Sequence, residues 1–159
     1  MLTPEERRLH IEKIRRLPSQ LRTLVANLSA EQLTTHYLEG EWSVAQNVHH
    51  LADAHMNSFI LFKRILSEER WPLRGYDADC WADMADANHA DIELSLSILE
   101  NLHRRWVQLL TSLSDDEYAR VGVNSQGNER SIDEYVRIYS NHGEAHLDQI
   151  QRTLAAQSD

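Results

Sequence analysis

An all-α fold, a four-helix bundle running up-down-down-up with short extra helical turns in its connections, is what this chain of 159 residues predicts. Three observations lead there. Glycine (5) and proline (3) are scarce, while Leu, Ala, Glu and Arg are plentiful, and straight-chain residues and alanine lose little on entering a helix. Ser or Thr followed three residues later by Glu or Gln recurs ahead of apolar runs, as capped helix starts require. Four of those runs are long enough to carry an apolar stripe, and a bundle is the simplest way to bury four stripes at once.

The first helix opens at Thr3-Pro4-Glu5-Glu6, with an N-cap, a proline at the first helical position and a glutamate able to return the capping bond. Leu9, Ile11, Ile14, Leu17, Leu21, Leu24, Val25 and Leu28 follow at mostly helical spacing, with Pro18 as an expected interruption or kink. Ser29-Ala30-Glu31-Gln32 is a second capping box with only one or two turns behind it. A second long helix begins at Ser43-Val44-Ala45-Gln46 and runs to about Leu66, its stripe made by Val44, Val48, Leu51, Phe59, Phe62 and Leu66. Residues 68–90 contain Trp71-Pro72, Gly75-Tyr76-Asp77 and Trp81 and read as a long connection with one short helix. The third long helix covers roughly 91–112, through Ile92, Leu94, Leu96, Ile98, Leu99, Leu102, Trp106 and Leu109. Ser114-Asp115-Asp116-Glu117 caps another short turn, Val121 to Arg130 reads as a polar loop, and Ser131-Ile132-Asp133-Glu134 opens the last helix, which reaches Leu154. A connection as long as 68–90 can travel the length of a helix, so the second and third long helices are expected to run parallel. No repeat or linker divides residues 1–159, and one domain is expected.

Composition also narrows the partners. A formal charge of −9 lacks the basic footprint that nucleic acid or an anionic membrane surface needs. No stretch approaches the ~20 apolar residues of a bilayer span, and Met1-Leu2-Thr3-Pro4-Glu5-Glu6 has neither the basic segment nor the apolar run of a signal peptide, so a cytoplasmic location is expected. Cys80 is the single cysteine, which excludes an internal disulfide and a thiolate-rich zinc site. Any metal must be held by imidazoles and carboxylates.

Nine histidines make that feasible. His142-Gly143-Glu144-Ala145-His146 stacks two imidazoles at i and i+4 on one helix face, able to share an ion; two solvated or core-edge histidines are the competing reading. A second cluster holds His49, His50 and His55, which cannot all point one way, since adjacent residues diverge by about 100° on a helix. His55 continues the line of Val48, Leu51 and Phe59 and reads as a buried, hydrogen-bonded core residue. At about 1.5 Å per residue, His50 lies roughly 10 Å into its helix, and His142 and His146 roughly 16 and 22 Å into theirs. If those helices are antiparallel and about 36 Å long, His146 falls within one turn of His50's level. The three can meet. His10 and His103, beside Arg7-Arg8 and Arg104-Arg105, read as surface residues, and His36 and His89 as loop residues without a paired ligand.

The stretch Trp42-Ser43-Val44-Ala45-Gln46-Asn47-Val48-His49-His50-Leu51-Ala52-Asp53-Ala54-His55-Met56-Asn57-Ser58 resembles the second-helix motif of the DinB superfamily, in particular its YfiT-like branch. Tyr76-Asp77 with Trp81, Leu102-His103-Arg104-Arg105-Trp106, and Tyr139-Ser140-Asn141-His142 through His146 resemble the same branch, in the same order. The resemblance implies an up-down-down-up bundle with one divalent metal on three histidines: the one preceding Leu on the second long helix, which is His50 and not His49, and the pair His142 and His146. It further implies a metal-dependent hydrolase, or a thiol S-transferase that activates a low-molecular-weight thiol such as bacillithiol on zinc or nickel, and a homodimer. The chain departs from the family pattern in starting almost at its first helix, in reading Val123-Asn124-Ser125-Gln126 before the last one, and in filling the gap between the histidine pair with Gly143, Glu144 and Ala145.

Three neutral imidazoles leave positions open on an ion, the mark of a reactive rather than a structural site. Water or a thiol there becomes a nucleophile near neutral pH, and the residues do not choose between them. Glu144 should point away from both metal histidines, so no general base stands out, and Asn47 and Asn57 are expected to line the pocket and hydrogen-bond the ligands. The expectation is an enzyme acting on a small molecule, with a non-catalytic metal-binding or stress-associated protein as the alternative.

Overall fold

In the computed structural model, which describes residues 1–158, all five capping sequences close as boxes. Thr3, Ser29, Ser43, Ser114 and Ser131 hold extended backbone and accept from the N–H three residues on, while Glu6, Gln32, Gln46, Glu117 and Glu134 return the bond. They start α1 (Pro4–Leu24), α2 (Ala30–Thr34), α3 (Val44–Ser67), α6 (Asp115–Ala119) and α7 (Ile132–Ala155). The remaining helices are α4 (Ala78–Ala82), opened by the Asp77 side chain, and α5 (Glu93–Ser112), which has no side-chain cap. None of these helices is long and apolar enough to cross a membrane.

Pro18 does not break α1, which continues through it to Leu24 and stops short of the expected Leu28. Asn27 follows in the left-handed region (φ 64°), which asparagine tolerates better than most residues. Pro18 has a separate consequence. It carries no N–H, so the carbonyl of Ile14, four residues earlier, receives no helical bond from it.

The four long helices are α1, α3, α5 and α7, and their contacts fix their directions. Arg7 meets Asp133, His10 meets Ser140 and Lys13 meets Glu144, so α1 and α7 run parallel. His49 meets Ser95 and His55 meets His103, so α3 and α5 run parallel. Arg22 meets Glu93 while His103 meets Ile14, and His146 meets Asn47 while His142 meets His55, so α1 opposes α5 and α7 opposes α3. This is the up-down-down-up order. α3 packs against α5 and α7, with α1 placed diagonally across the bundle.

The chain is not purely helical. Val121 to Arg130, expected as a polar loop, forms a hairpin of β2 (Val121–Val123) and β3 (Glu129–Ser131), and β1 (Trp71–Pro72), within the expected long connection, pairs parallel with β2. The Asn124 side chain accepts from the N–H groups of Gln126 and Asn128 across the turn, and Gly127 adopts φ 82°. The three short strands tie the 68–90 connection to the end of the bundle where α7 begins.

Gly143 is buried against α1, and a Cβ there would lie 2.7 Å from Cδ2 of Leu17. The apolar core falls into two clusters. One gathers Leu17, Leu21, Val48, Leu51, Leu96, Leu99 and Ile150; the other gathers Ile11, Ile14, Phe59, Phe62, Trp106, Leu110, Tyr135 and Val136. Between them, at the level of residues 50–55, 103 and 140–146, the interior is lined with imidazoles.

Candidate metal centre

The sequence brings His50 and His142–His146 to one level because α3 and α7 are antiparallel neighbours capped at opposite ends. His50 lies two turns inside α3, at a position facing α7. The Nε2 atom of His142 is 3.2 Å from Nε2 of His50 and 3.1 Å from Nε2 of His146. One ligand atom from each of the three histidines lies within 4.8 Å of the other two. Tetrahedral nitrogens about 2.0–2.1 Å from one ion sit about 3.3–3.4 Å apart, close to this spacing.

Hydrogen bonds at the far side of each ring decide which nitrogens carry protons. The Asn47 amide donates through Nδ2 to the Ser43 carbonyl at 3.0 Å, which turns its Oδ1 toward His146 Nδ1 at 2.8 Å. His146 Nδ1 must therefore be the donor, leaving Nε2 as a bare lone pair. His142 Nδ1 lies 3.2 Å from His55 Nε2, and His55 Nδ1 lies 2.8 Å from His103 Nε2. His103 Nδ1 is 2.6 Å from the Ile14 carbonyl oxygen, which can only accept. Starting from that carbonyl, each neutral ring donates through Nδ1 and accepts through Nε2, so His142 also presents a bare Nε2. Two lone pairs then face each other at 3.1 Å, an arrangement that a shared cation relieves.

A proton does not fill that role at neutral pH. Burial pushes the imidazole pKa values down from 6.5, to about 4 for His50, about 3 for His142 and about 4 for His146, and neighbouring imidazoles add repulsion at His50 and His142. Neutral imidazoles are the form that binds a divalent ion. The residues present fit such an ion.

Trp42 closes one side, its ring stacked on His146 at 6.0 Å and tilted against His50 at 4.7 Å. Tyr139 packs edge-on to His142 and to His55. Beyond Tyr139 a cleft of about 400 Å³ is lined by Asn57, Leu61, Arg64, Trp71 and Tyr76 among others.

The remaining histidines and polar candidates divide. His55 is fully buried and hydrogen-bonded, as its place in the α3 stripe predicts. Asn47 bonds the His146 ring, whereas Asn57 is exposed, bonds the Asp53 carbonyl and lines the cleft rather than the histidine cluster. Glu144 points outward to Lys13, and Cys80 is exposed. His49 turns away toward Ser95 and the His89 carbonyl, and His36 bonds the Glu41 carbonyl. Two expectations are corrected. His103 is 1% exposed rather than a surface residue, and His10 is half-buried against Ser140. The signal for His103 is its spacing: Leu96, Leu99, His103, Trp106 and Leu110 form one unbroken 3-4-3-4 stripe, and the flanking Arg104-Arg105 masks it. Trp42 carries no such signal, because it precedes the α3 cap.

Comparison with known proteins agrees with this geometry. The DinB superfamily model matches residues 13–150. A relative from Oceanobacillus iheyensis is 42% identical over 137 residues, covering 86% of this chain and 79% of its own, and YfiT from Bacillus subtilis is 35% identical over 157 residues, covering 96% and 88%. Both are provisionally named metal-dependent hydrolases. The solved structure of Bacillus subtilis YfiT, described as having an unusual four-helix bundle topology, superposes with a TM-score of 0.91 at 34% identity over 96% of this chain and 88% of that one. The fold alone extends to a mycothiol-dependent maleylpyruvate isomerase, with a TM-score of 0.56 at 19% identity over 94% of this chain and 61% of that one. With its bundle order, its histidine cluster and these matches in hand, the chain belongs to the DinB superfamily, on its YfiT-like branch.

Proposed function

We propose that this protein is a metal-dependent enzyme that holds one divalent ion, zinc or nickel, on His50, His142 and His146 and directs a water or thiol nucleophile at a small electrophilic substrate. The observation that carries this reading is the convergence of three Nε2 atoms, two of them stripped of protons by Asn47 and His55. The names of the relatives, as metal-dependent hydrolases, support the same class. When bound, the ion supplies Lewis acidity and lowers the pKa of a water or thiol at its open positions.

The chain's own residues do the rest. Burial keeps the three rings neutral and therefore able to bind the ion across the physiological range. Asn47 holds the Nδ1 proton of His146, and His55 holds that of His142, so neither ring can turn its lone pair away. Trp42 and Tyr139 cover the rings from two sides and limit the approach of bulk water. The cleft past Tyr139, with apolar walls at Ile60, Leu61 and Trp71 and polar groups at Asn57 and Tyr76, is of a size for a small molecule. Hydrolysis and thiol transfer share this arrangement and differ in which nucleophile enters.

Metal analysis of the purified protein tests the first half, and turnover of an ester panel and of monochlorobimane with several low-molecular-weight thiols tests the second. One equivalent of zinc or nickel that is lost in His142→Ala, with the helical signal retained, is the expected result. Full metal occupancy in His142→Ala removes that residue from the ligand set. Turnover that persists in metal-free protein overturns the mechanism.

A further inference from the structure

We propose that His55 and His103 are positioning residues for the metal centre: a chain of imidazoles, anchored on the Ile14 carbonyl that Pro18 leaves free, locks His142 with its Nε2 lone pair toward the ion. The inference rests on the metal-centre reading above and extends it to residues that touch neither ion nor substrate.

The chain of imidazoles starts from a proline. In an uninterrupted helix the Ile14 carbonyl would accept from the N–H of residue 18, but Pro18 has none. The vacated acceptor is taken by His103 Nδ1 at 2.6 Å, reaching across from α5. A carbonyl only accepts, so the proton of His103 is fixed on Nδ1 and its Nε2 must accept. His55, on α3, therefore donates through Nδ1 to that atom at 2.8 Å and accepts through Nε2. His142, on α7, donates through Nδ1 to His55 at 3.2 Å. Every link has one permitted polarity, and the last sets which nitrogen of His142 faces the ion.

The surroundings leave the relay no other arrangement. His55 and His103 are 0% and 1% exposed, so water cannot supply a substitute partner. Their rings are held by Trp106, edge-on to both at 5.6 and 5.8 Å, and by Tyr139, edge-on to His55 at 5.9 Å. The chain draws one residue from each long helix, α1, α5, α3 and α7, and crosses the whole bundle. His146 receives the same service from a single residue, Asn47, while His142 needs three because its Nδ1 points into the core. Carbonyl or carboxylate partners to a ligating histidine raise its basicity and fix its ring, and their loss commonly weakens metal affinity about 10–100-fold.

The test reads tautomers and affinity. In the metal-free wild type, nitrogen-15 spectra of the imidazoles should show the proton on Nδ1 at His55, His103 and His142; a His142 protonated on Nε2 overturns the relay without any variant being made. Zinc affinity, by competition with a chelator, should fall about 10–100-fold in His103→Leu, with a mixture of His142 tautomers. His103→Gln, whose amide can both donate to Ile14 and accept from His55, should stay within about threefold of wild type. If His103→Leu does not fold, His55→Gln against His55→Leu repeats the comparison. A leucine variant that binds zinc as tightly as wild type, or a glutamine variant as weak as the leucine one, rejects a positioning role. A wild type with the expected tautomers but no affinity for zinc or nickel would instead bring down the metal-centre reading.

Discussion

Metal-free protein should lose stability well before ordinary acid denaturation, between pH 6.5 and about 5. His103 sets the scale, being 1% exposed and held by burial to a pKa of about 4 against 6.5 in an open chain. The folded value is the lower one, so the unfolded chain binds more protons in between. Stability is therefore complete above pH 6.5, declines as pH falls, and levels off below about 4. At ~1.4 kcal/mol per pH unit for one proton, His103 alone accounts for roughly 2 kcal/mol between pH 6.5 and 5. His50, His142 and His146 shift in the same direction, and for the same first cause, burial. The carboxylates of Glu6, Glu12, Glu41, Glu93, Glu117 and Glu134 lie below their ordinary 4.5 through bonds to caps and arginines, so what they contribute is lost only at lower pH.

The window thus isolates the imidazoles. Urea unfolding followed by circular dichroism, with a chelator present, should give a free energy at least about 2 kcal/mol smaller at pH 5 than at pH 7. His103→Leu should flatten the slope by about one proton. A free energy that changes by less than about 1 kcal/mol across this range would refute the claim that these rings stay neutral in the fold.

Three further outcomes follow from particular contacts. Pro18→Ala restores a backbone N–H that competes for the Ile14 carbonyl: the roughly 3 kcal/mol helix penalty of proline is offset by about 1–1.5 for lost buried surface and about 1–3 for a His103 left without its acceptor, so the melting temperature should move by only a few degrees while a zinc titration shows weaker binding. Gly143→Val drives a branched side chain into Leu17 where α7 packs on α1, so the urea midpoint should fall by the equivalent of about 1–3 kcal/mol; an unchanged midpoint would mean the helices separate freely. Asp133→Ala removes the fully buried partner of Arg7, together with the carboxylate that holds the Leu2 N–H, and should cost about 3–5 kcal/mol in the same assay, whereas loss of the exposed partner Asp115 should cost under about 1.

What the amino-acid sequence makes legible is what depends on local chemistry. Five capping boxes place helix starts to the residue, because the motif names both the donor and the acceptor of each bond. Given antiparallel neighbours of similar length, helix rise brings His50 level with the His142–His146 pair, while the family resemblance, not the spacing, selects His50 over His49. The hairpin at 121–131 escapes because its strands are three residues long, too short for an alternation to register, and one of their partners, Trp71-Pro72, comes from some fifty residues earlier. His103 escapes because the charge beside it hides its place in the stripe. Its carbonyl partner is beyond sequence reasoning altogether, for that bond needs both the gap left by Pro18 and the packing of α5 against α1.

The imidazole layer is an unusual thing to build between the two apolar clusters of a bundle. A neutral hydrogen bond contributes about 0.5–1.5 kcal/mol net, and a buried polar group left without one costs about 1–3, so four linked rings gain little over four leucines and lose much if one link fails. Stability is therefore a poor reason for the layer. Geometry is a better one. α3 touches α5 and α7 at once, and a separation of five residues turns His50 and His55 by about 140° on a helix, so that His50 reaches α7 while His55 stands between α5 and α7. The up-down-down-up order provides this because it makes α3 the neighbour of both and leaves α1 on the far diagonal, reachable only through His103. In this bundle the topology and the direction of the His142 lone pair are consequences of the same helix placement, and a shift in the register of any one long helix breaks the chain that aims it.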